Sequence, residues 1–210
     1  MNLRVVETFT SIQGESTYAG LPCFFVRLAG CNLRCRYCDT PEAREGGESR
    51  TTADIVAEWR RSPAAIAEIT GGEPLLQAAF AGLATALRDA SPRVVLVETN
   101  GSRDISIIPD RVIAVVDVKS PGSGEKNAFD SGNLDRLRPY DELKFVLSDR
   151  ADYEWAAAFV NRHNLAARAA AVHFSPVHGV LPASDLARWM LADGLSVRLQ
   201  VQLHKIADLR

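Results

Sequence analysis

The chain has 210 residues, 47% of them hydrophobic and 24% charged, and 24 Lys and Arg against 26 Asp and Glu leave a formal net charge of −2. These proportions describe an ordinary globular chain and exclude collagen-like repeats, low-complexity disorder and a disulfide scaffold. They supply no bulk positive charge for nucleic acid, so no nucleic-acid partner is expected.

The length suits a single domain over 1–210. The N-terminal stretch carries an acid at Glu7 and no apolar run of the signal-peptide kind. No window approaches about 18 uninterrupted apolar residues, so no membrane span is expected. A cytoplasmic location follows, where clustered cysteines hold metal or do chemistry more often than they form disulfides. Apolar runs at 23–28, 65–69, 94–97, 112–116, 143–147, 170–174 and 196–201 read as strands. Their density without alternation is that of strands covered on both faces. Helical patterns lie between them at 52–61 behind Thr51, 75–89 behind Pro74, 151–161 behind Asp149 and 185–192 behind Ser184. This alternation predicts an α/β fold with a parallel sheet and right-handed crossovers.

The polar clusters fall just after the strands, at 31–40, 70–74, 98–101, 117–119, 175–178 and His204. Loops at the carboxyl ends of parallel strands converge on one rim, which is where such folds bind ligands. Gly46–Gly47 and the Gly- and Ser-rich segment 120–132 read as mobile connections, the second as a possible cover.

Three of the four cysteines, Cys31, Cys35 and Cys38, form C-x3-C-x2-C in one such loop. A closed zinc site wants a fourth ligand, which His173 or His178 could supply, and an ordinary [4Fe–4S] carrier wants four thiolates. Cys23 sits in an apolar strand and reads as a small hydrophobe. Three thiolates on a four-iron cube leave one iron open for a further ligand. Some thirty residues on stands Thr70-Gly71-Gly72-Glu73-Pro74, where bare glycines admit a ligand to the backbone and a carboxylate can accept from an ammonium.

The cysteine spacing with Tyr37 inside it, together with the GGEP segment, resembles the radical S-adenosylmethionine enzymes. Further segments narrow the resemblance to the 7-carboxy-7-deazaguanine synthases of queuosine and deazapurine biosynthesis: the opening Phe9-Thr10-Ser11-Ile12-Gln13-Gly14-Glu15-Ser16, then Phe25–Leu33, Cys38-Asp39-Thr40, Glu98-Thr99-Asn100-Gly101 and Gln202-Leu203-His204-Lys205. Ser16 stands where that family has Gly. The resemblance implies an abbreviated radical core, a partial (β/α)6-type parallel barrel. It also implies a lyase that contracts the ring of 6-carboxy-5,6,7,8-tetrahydropterin with loss of ammonia. The implied cofactors are a [4Fe–4S] cluster on Cys31, Cys35 and Cys38, S-adenosylmethionine, and Mg2+ at Thr40. A flavodoxin-like electron donor and a homodimer are implied as partners.

By the same resemblance, Ile12, Gln13, Gly14, Glu15, Arg27, Thr70, Glu98, His204 and the terminal carboxylate of Arg210 face the pterin. The S-adenosylmethionine positions are Tyr37, Cys38, Asp39, Gly72 and Glu73, then Asp117, Val118 and Lys119, and finally Ser175, Pro176, Val177 and His178. Asp117-Val118-Lys119 differs from the Ser-Pro-Lys associated with that place. The residue chemistry agrees: a guanidinium such as Arg27 pairs with a carboxylate through two bonds, and Gln13 and Glu15 offer a pterin edge both donor and acceptor groups. Two other readings remain open: a glycyl-radical activase, which shares the cysteine loop and GGEP, and a non-enzymatic zinc or iron–sulfur protein.

Overall fold

A computed structural model describes residues 2–209. Nine strands run along the chain: β1 (Asn2–Ile12), β2 (Pro22–Leu28), β3 (Glu48–Thr51), β4 (Ile66–Gly71), β5 (Val94–Thr99), β6 (Val112–Asp117), β7 (Glu142–Leu147), β8 (Ala171–Pro176) and β9 (Arg198–Leu199). They form one sheet in the order β3-β1-β2-β4-β5-β6-β7-β8-β9. From β2 onward every pairing is parallel, while β1 pairs antiparallel with both β2 and β3. The parallel strands never reverse their order, so the sheet winds one way as a barrel wall does, and its two edges stay apart. It is an open, partial (β/α)6-type barrel.

The connections are α1 (Thr52–Arg61), α2 (Phe80–Ala90), α3 (Asn133–Arg136), α4 (Arg150–His163) and α5 (Ala183–Asp193), with α6 (Leu203–Ile206) at the C-terminal end. Local chemistry sets their ends. The Thr51 hydroxyl accepts from Asp54 N–H and the Asp149 carboxylate from Asp152 N–H, two side-chain N-caps. Asn164 and Gly194 close α4 and α5 in the left-handed region.

Strand alternation divides the sheet into two faces. Phe24, Val26 and Leu28, then Val95 and Val97, Leu143, Phe145 and Leu147 all join the main core beneath the helices, with Trp59, Phe80 and Leu83 from α1 and α2. Each such large side chain taken from water contributes about 1.5–3 kcal/mol. On the opposite face the low end of the sheet carries only a small apolar cluster, Cys23, Phe25, Ile66 and Leu96. Above that cluster the same face is polar.

Several sequence expectations shift. The strand at 2–12 was not anticipated, since its exposed positions are polar and it pairs antiparallel. The expected strand at 196–201 shrinks to two residues, and the helix expected from 75 begins at Phe80 after a 3-10 turn at Pro74–Leu76. The carboxyl ends of β4, β5, β6 and β8 reach into the polar clusters, so Thr70, Glu98, Asp117 and Ser175 are strand residues rather than loop residues. The segment 120–132 is a bonded strut, not a loose cover: Arg36 N–H donates to Ser123 O, Arg34 N–H to the Glu125 carboxylate, Gly122 N–H to the Asp152 carboxylate and Asp130 N–H to Gly101 O.

Candidate active site

The polar face opens into one cavity of about 1310 Å3, including the solvent at its mouth. Cys31, Cys35 and Cys38 line it. All four cysteines are free thiols, and Cys23 is fully buried in the small apolar cluster, away from the other three. Among the described residues no group of three His, Cys, Asp or Glu side chains converges on a single ion. Three thiols on one cavity wall can serve three irons of a four-iron cube and leave the fourth without a protein ligand. The Lys119 ammonium lies near the loop and favours the thiolate at Cys35, while burial is the larger influence and pushes that thiol up.

GGEP packs directly against the cysteine loop. A Cβ on Gly72 would fall 2.3 Å from Gly30 O and 2.7 Å from Cys31 Cβ, so only glycine permits the contact. Gly72 lines the cavity, but Glu73 does not. Its wholly buried carboxylate accepts from Leu75 N–H at 3.0 Å, the Thr99 hydroxyl at 2.8 Å and Asn100 N–H at 2.7 Å. Three accepted bonds hold the Glu73 carboxylate in place, so it fixes the loop that presents the Gly72 backbone to the cavity.

The next expected group is divided. Asp117 and Lys119 face the cavity, joined at 2.7 Å, whereas Val118 points into the apolar core. Asp117, on the cavity wall, has its Oδ1 buried without a partner among the described residues. Orphaned buried acceptors of this kind call for a donor-bearing ligand, and a nucleoside cofactor with an ammonium and hydroxyls supplies donors. Val177 lines the same cavity. Ser175 lies behind the wall, and Pro176 and His178 line a separate groove. Tyr37 lines the cavity with its hydroxyl anchored on Val146 O at 3.0 Å, and burial raises that phenol to about 12.

Across the cavity stand Ile12, Gln13, Gly14, Glu15, Arg27 and Thr70, with Glu98 and His204 beside them. Arg27 Nε donates to Glu7 at 2.9 Å and its guanidinium lies over the Phe9 ring. The guanidinium so held stands on the cavity wall. Gln13 is turned inward: its amide donates to Glu68 and accepts from Glu15 N–H at 3.1 Å. Glu68, fully enclosed, is pushed up by burial first and by Glu98 second. His204 packs so tightly on Gly14 that a Cβ there would lie 2.0 Å from Nδ1. Burial lowers the imidazole's pKa and favours its neutral form. The Thr40 hydroxyl lines the cavity and makes no cap bond to the turn it opens. Arg210 lies outside the described residues.

Glu68 and Lys144, which no sequence motif points to, stand on the cavity wall with Gln202 and Lys205 of the C-terminal motif. Lys205 pairs with Asp39 at 2.8 Å and Gln202 donates to Glu15, so the C-terminal segment is fastened over the site. For Asp39, burial would raise the carboxyl, and the Lys205 ammonium outweighs it and holds it low. The signal for Glu68 and Lys144 was a lone charge inside an apolar run.

An open barrel with three rim thiols beside a glycine cradle defines a radical S-adenosylmethionine enzyme, and the Radical SAM superfamily model matches residues 26–117. Over nearly its whole length the chain is 44% identical to the 7-carboxy-7-deazaguanine synthase of Koribacter versatilis, covering 97% of this chain and 96% of that one. It is 45% identical to the synthase of Chlorobaculum tepidum, covering 97% and 93%. The crystal structure of QueE from Escherichia coli superposes with a TM-score of 0.80 at 23% identity, covering 97% of this chain and 95% of that one, which shows a shared fold. The chain belongs to the 7-carboxy-7-deazaguanine synthase family, a family of radical lyases that use a [4Fe–4S] cluster, S-adenosylmethionine and a small-molecule substrate. The activase reading is not favoured by these relatives.

Proposed function

We propose that this chain converts 6-carboxy-5,6,7,8-tetrahydropterin to 7-carboxy-7-deazaguanine with loss of ammonia, acting as one domain over 1–210. The observation that carries this reading is the meeting of three cluster thiols, a two-pronged guanidinium and a set of carboxylates on one cavity. When bound, the cluster and S-adenosylmethionine supply the hydrogen-abstracting chemistry. The chain's own residues bind, orient and exclude water.

Cys31, Cys35 and Cys38 hold the cluster. Gly72 presents its backbone, Asp117 its unpartnered oxygen and Tyr37, Asp39 and Val177 their surfaces to the cofactor. Arg27 grips the substrate carboxylate through paired charge-assisted bonds. Glu98, with Glu15, accepts from the N–H groups of the pterin edge, while Ile12, Gly14, Thr70 and neutral His204 close the pocket around the ring. Gln13 shapes that pocket through its bond to Glu68. The Thr40 hydroxyl would offer Mg2+ one oxygen, and that ion's reluctance to dehydrate would leave the rest to water and substrate. A flavodoxin-like donor, a homodimer and a cytoplasmic location complete the proposal on the strength of the family resemblance. No helix among the described residues is long and apolar enough to cross a membrane.

The test is incubation of anaerobically reconstituted, reduced enzyme with the carboxypterin, S-adenosylmethionine and Mg2+, read by mass spectrometry. The deazaguanine product is expected. Protein that holds the cluster and binds S-adenosylmethionine yet leaves the pterin unchanged would overturn the substrate assignment.

A further inference from the structure

Lys144 lies on the cavity face of β7 and is 3% exposed. Its ammonium stands among three carboxylates delivered by three separate parts of the fold. Glu15, in the turn after β1, is 2.6 Å away; Glu98, on β5, is bonded directly; Asp117, at the end of β6, is 3.7 Å away. Asp117 continues to Lys119 at 2.7 Å, and the second oxygen of Glu15 accepts from Gln202 at 3.1 Å. One side chain therefore joins the carboxylates of the substrate wall to the cofactor wall.

The charge balance makes this lysine hard to replace. Glu15, Glu68, Glu98 and Asp117 face this part of the cavity, against the ammonium groups of Lys144 and Lys119. A neutral residue in place of Lys144 would leave Glu15, Glu98 and Asp117 without their shared counter-charge in a poorly solvated space. Like charges so placed either take up protons or swing apart, and either response spoils an acceptor set aimed at a flat ring. Glu98 bonds Lys144 through one oxygen and itself lines the cavity. The ammonium thus fixes the orientation of the Glu98 carboxylate.

Resting on the substrate reading above, we infer that Lys144 is a positioning residue that holds Glu15 and Glu98 in the acceptor geometry the pterin edge requires and couples that geometry to Asp117. It touches neither reacting atoms nor cluster; it acts through the carboxylates.

Lys144→Met removes the charge and keeps the stem. With reconstituted enzyme, the Kd for the carboxypterin is expected to rise at least about tenfold while that for S-adenosylmethionine changes less than about threefold. Infrared difference spectra should show a protonated-carboxyl band absent from wild type and lost again in the Lys144→Met, Glu98→Gln double variant. Lys144→Arg should recover part of the pterin affinity, because a cation returns. If Lys144→Met does not fold, Lys144→Gln takes its place in the same measurements. Equal weakening of both ligands, or pterin affinity unchanged in a folded variant, overturns the inference. Wild-type enzyme that fails to bind the pterin overturns the substrate reading instead, so the two failures are told apart.

Discussion

The two faces of the sheet are built from the same strands and obey opposite rules. On β7, Leu143, Phe145 and Leu147 enter the helix-covered core, while Glu142, Lys144 and Val146 alternate with them on the other face. The first set gains stability from each buried side chain. The second set concentrates Glu142, Lys144 and their partners where water is scarce: Glu142 accepts from Thr17 and meets His173 at 2.7 Å, and Lys144 serves three acids. Buried charge of this kind contributes little net stability even when paired. The fold's apolar side thus supports a polar side that is kept for ligands, and substitutions should fall into two classes, unfolding the molecule or emptying its site.

The sharpest division comes from Phe145→Ala. This ring is fully buried and meets Trp155, Phe159 and Phe174, so truncation should cost about 3–5 kcal/mol in urea unfolding. A loss below about 1 kcal/mol would mean that the helix-covered face is not the stabilising one. On the other face, Gly14→Ala drives a methyl into His204. Overpacking of this sort costs about 1–3 kcal/mol; lifting of the C-terminal segment relieves it, so it should appear as a roughly tenfold or greater rise in KM for the pterin rather than as a large fall in melting temperature. Unaltered KM would show that the C-terminal segment does not shape the pocket.

Glu68→Gln tests the electrostatic half of the comparison. Burial places the folded pKa of Glu68 above its ordinary 4.5. As pH rises past 4.5 the unfolded chain releases this proton before the folded one does, so wild type loses stability from there up to the raised value. Below 4.5 both states are protonated and the penalty vanishes. The Gln variant should therefore gain on wild type between pH 4 and pH 7 in paired unfolding curves; parallel curves would refute the burial argument. The smallest effect is Ser16→Gly. Ser16 has φ 64°, where a side chain is strained, while its hydroxyl accepts from Tyr18 N–H at 3.2 Å. Relief of strain set against loss of that bond should leave a gain of under about 1 kcal/mol, visible as a small rise in melting temperature.

The same contrast explains what could be read beforehand. The helix-facing residues of the parallel strands are dense in Val, Leu and Phe, so the strands were legible from apolar runs alone. The cavity face was not, because Glu68 and Lys144 are single charges in apolar surroundings and look like interruptions until alternation places them beside Glu98, Asp117 and Glu15. β1 escaped for a related reason: Arg4, Glu7, Thr8 and Thr10 face solvent or the site and break its apolar pattern. The rim motifs were readable because their spacing is local to one loop. Which atoms remain available to a ligand was not readable. The inward turns of Glu73 and Gln13 depend on Thr99, Asn100 and Glu68, which come from other strands and their loops.

The state of the cysteine loop once metal is supplied is the most direct test of all. Anaerobic reconstitution followed by iron and sulfide analysis, with electron paramagnetic resonance of the reduced protein before and after S-adenosylmethionine, measures it. The prediction is one [4Fe–4S] per chain whose spectrum shifts when S-adenosylmethionine is added, and no cluster once Cys31, Cys35 or Cys38 is changed to Ala. Zinc without sulfide, or a cluster whose spectrum ignores S-adenosylmethionine, would contradict it.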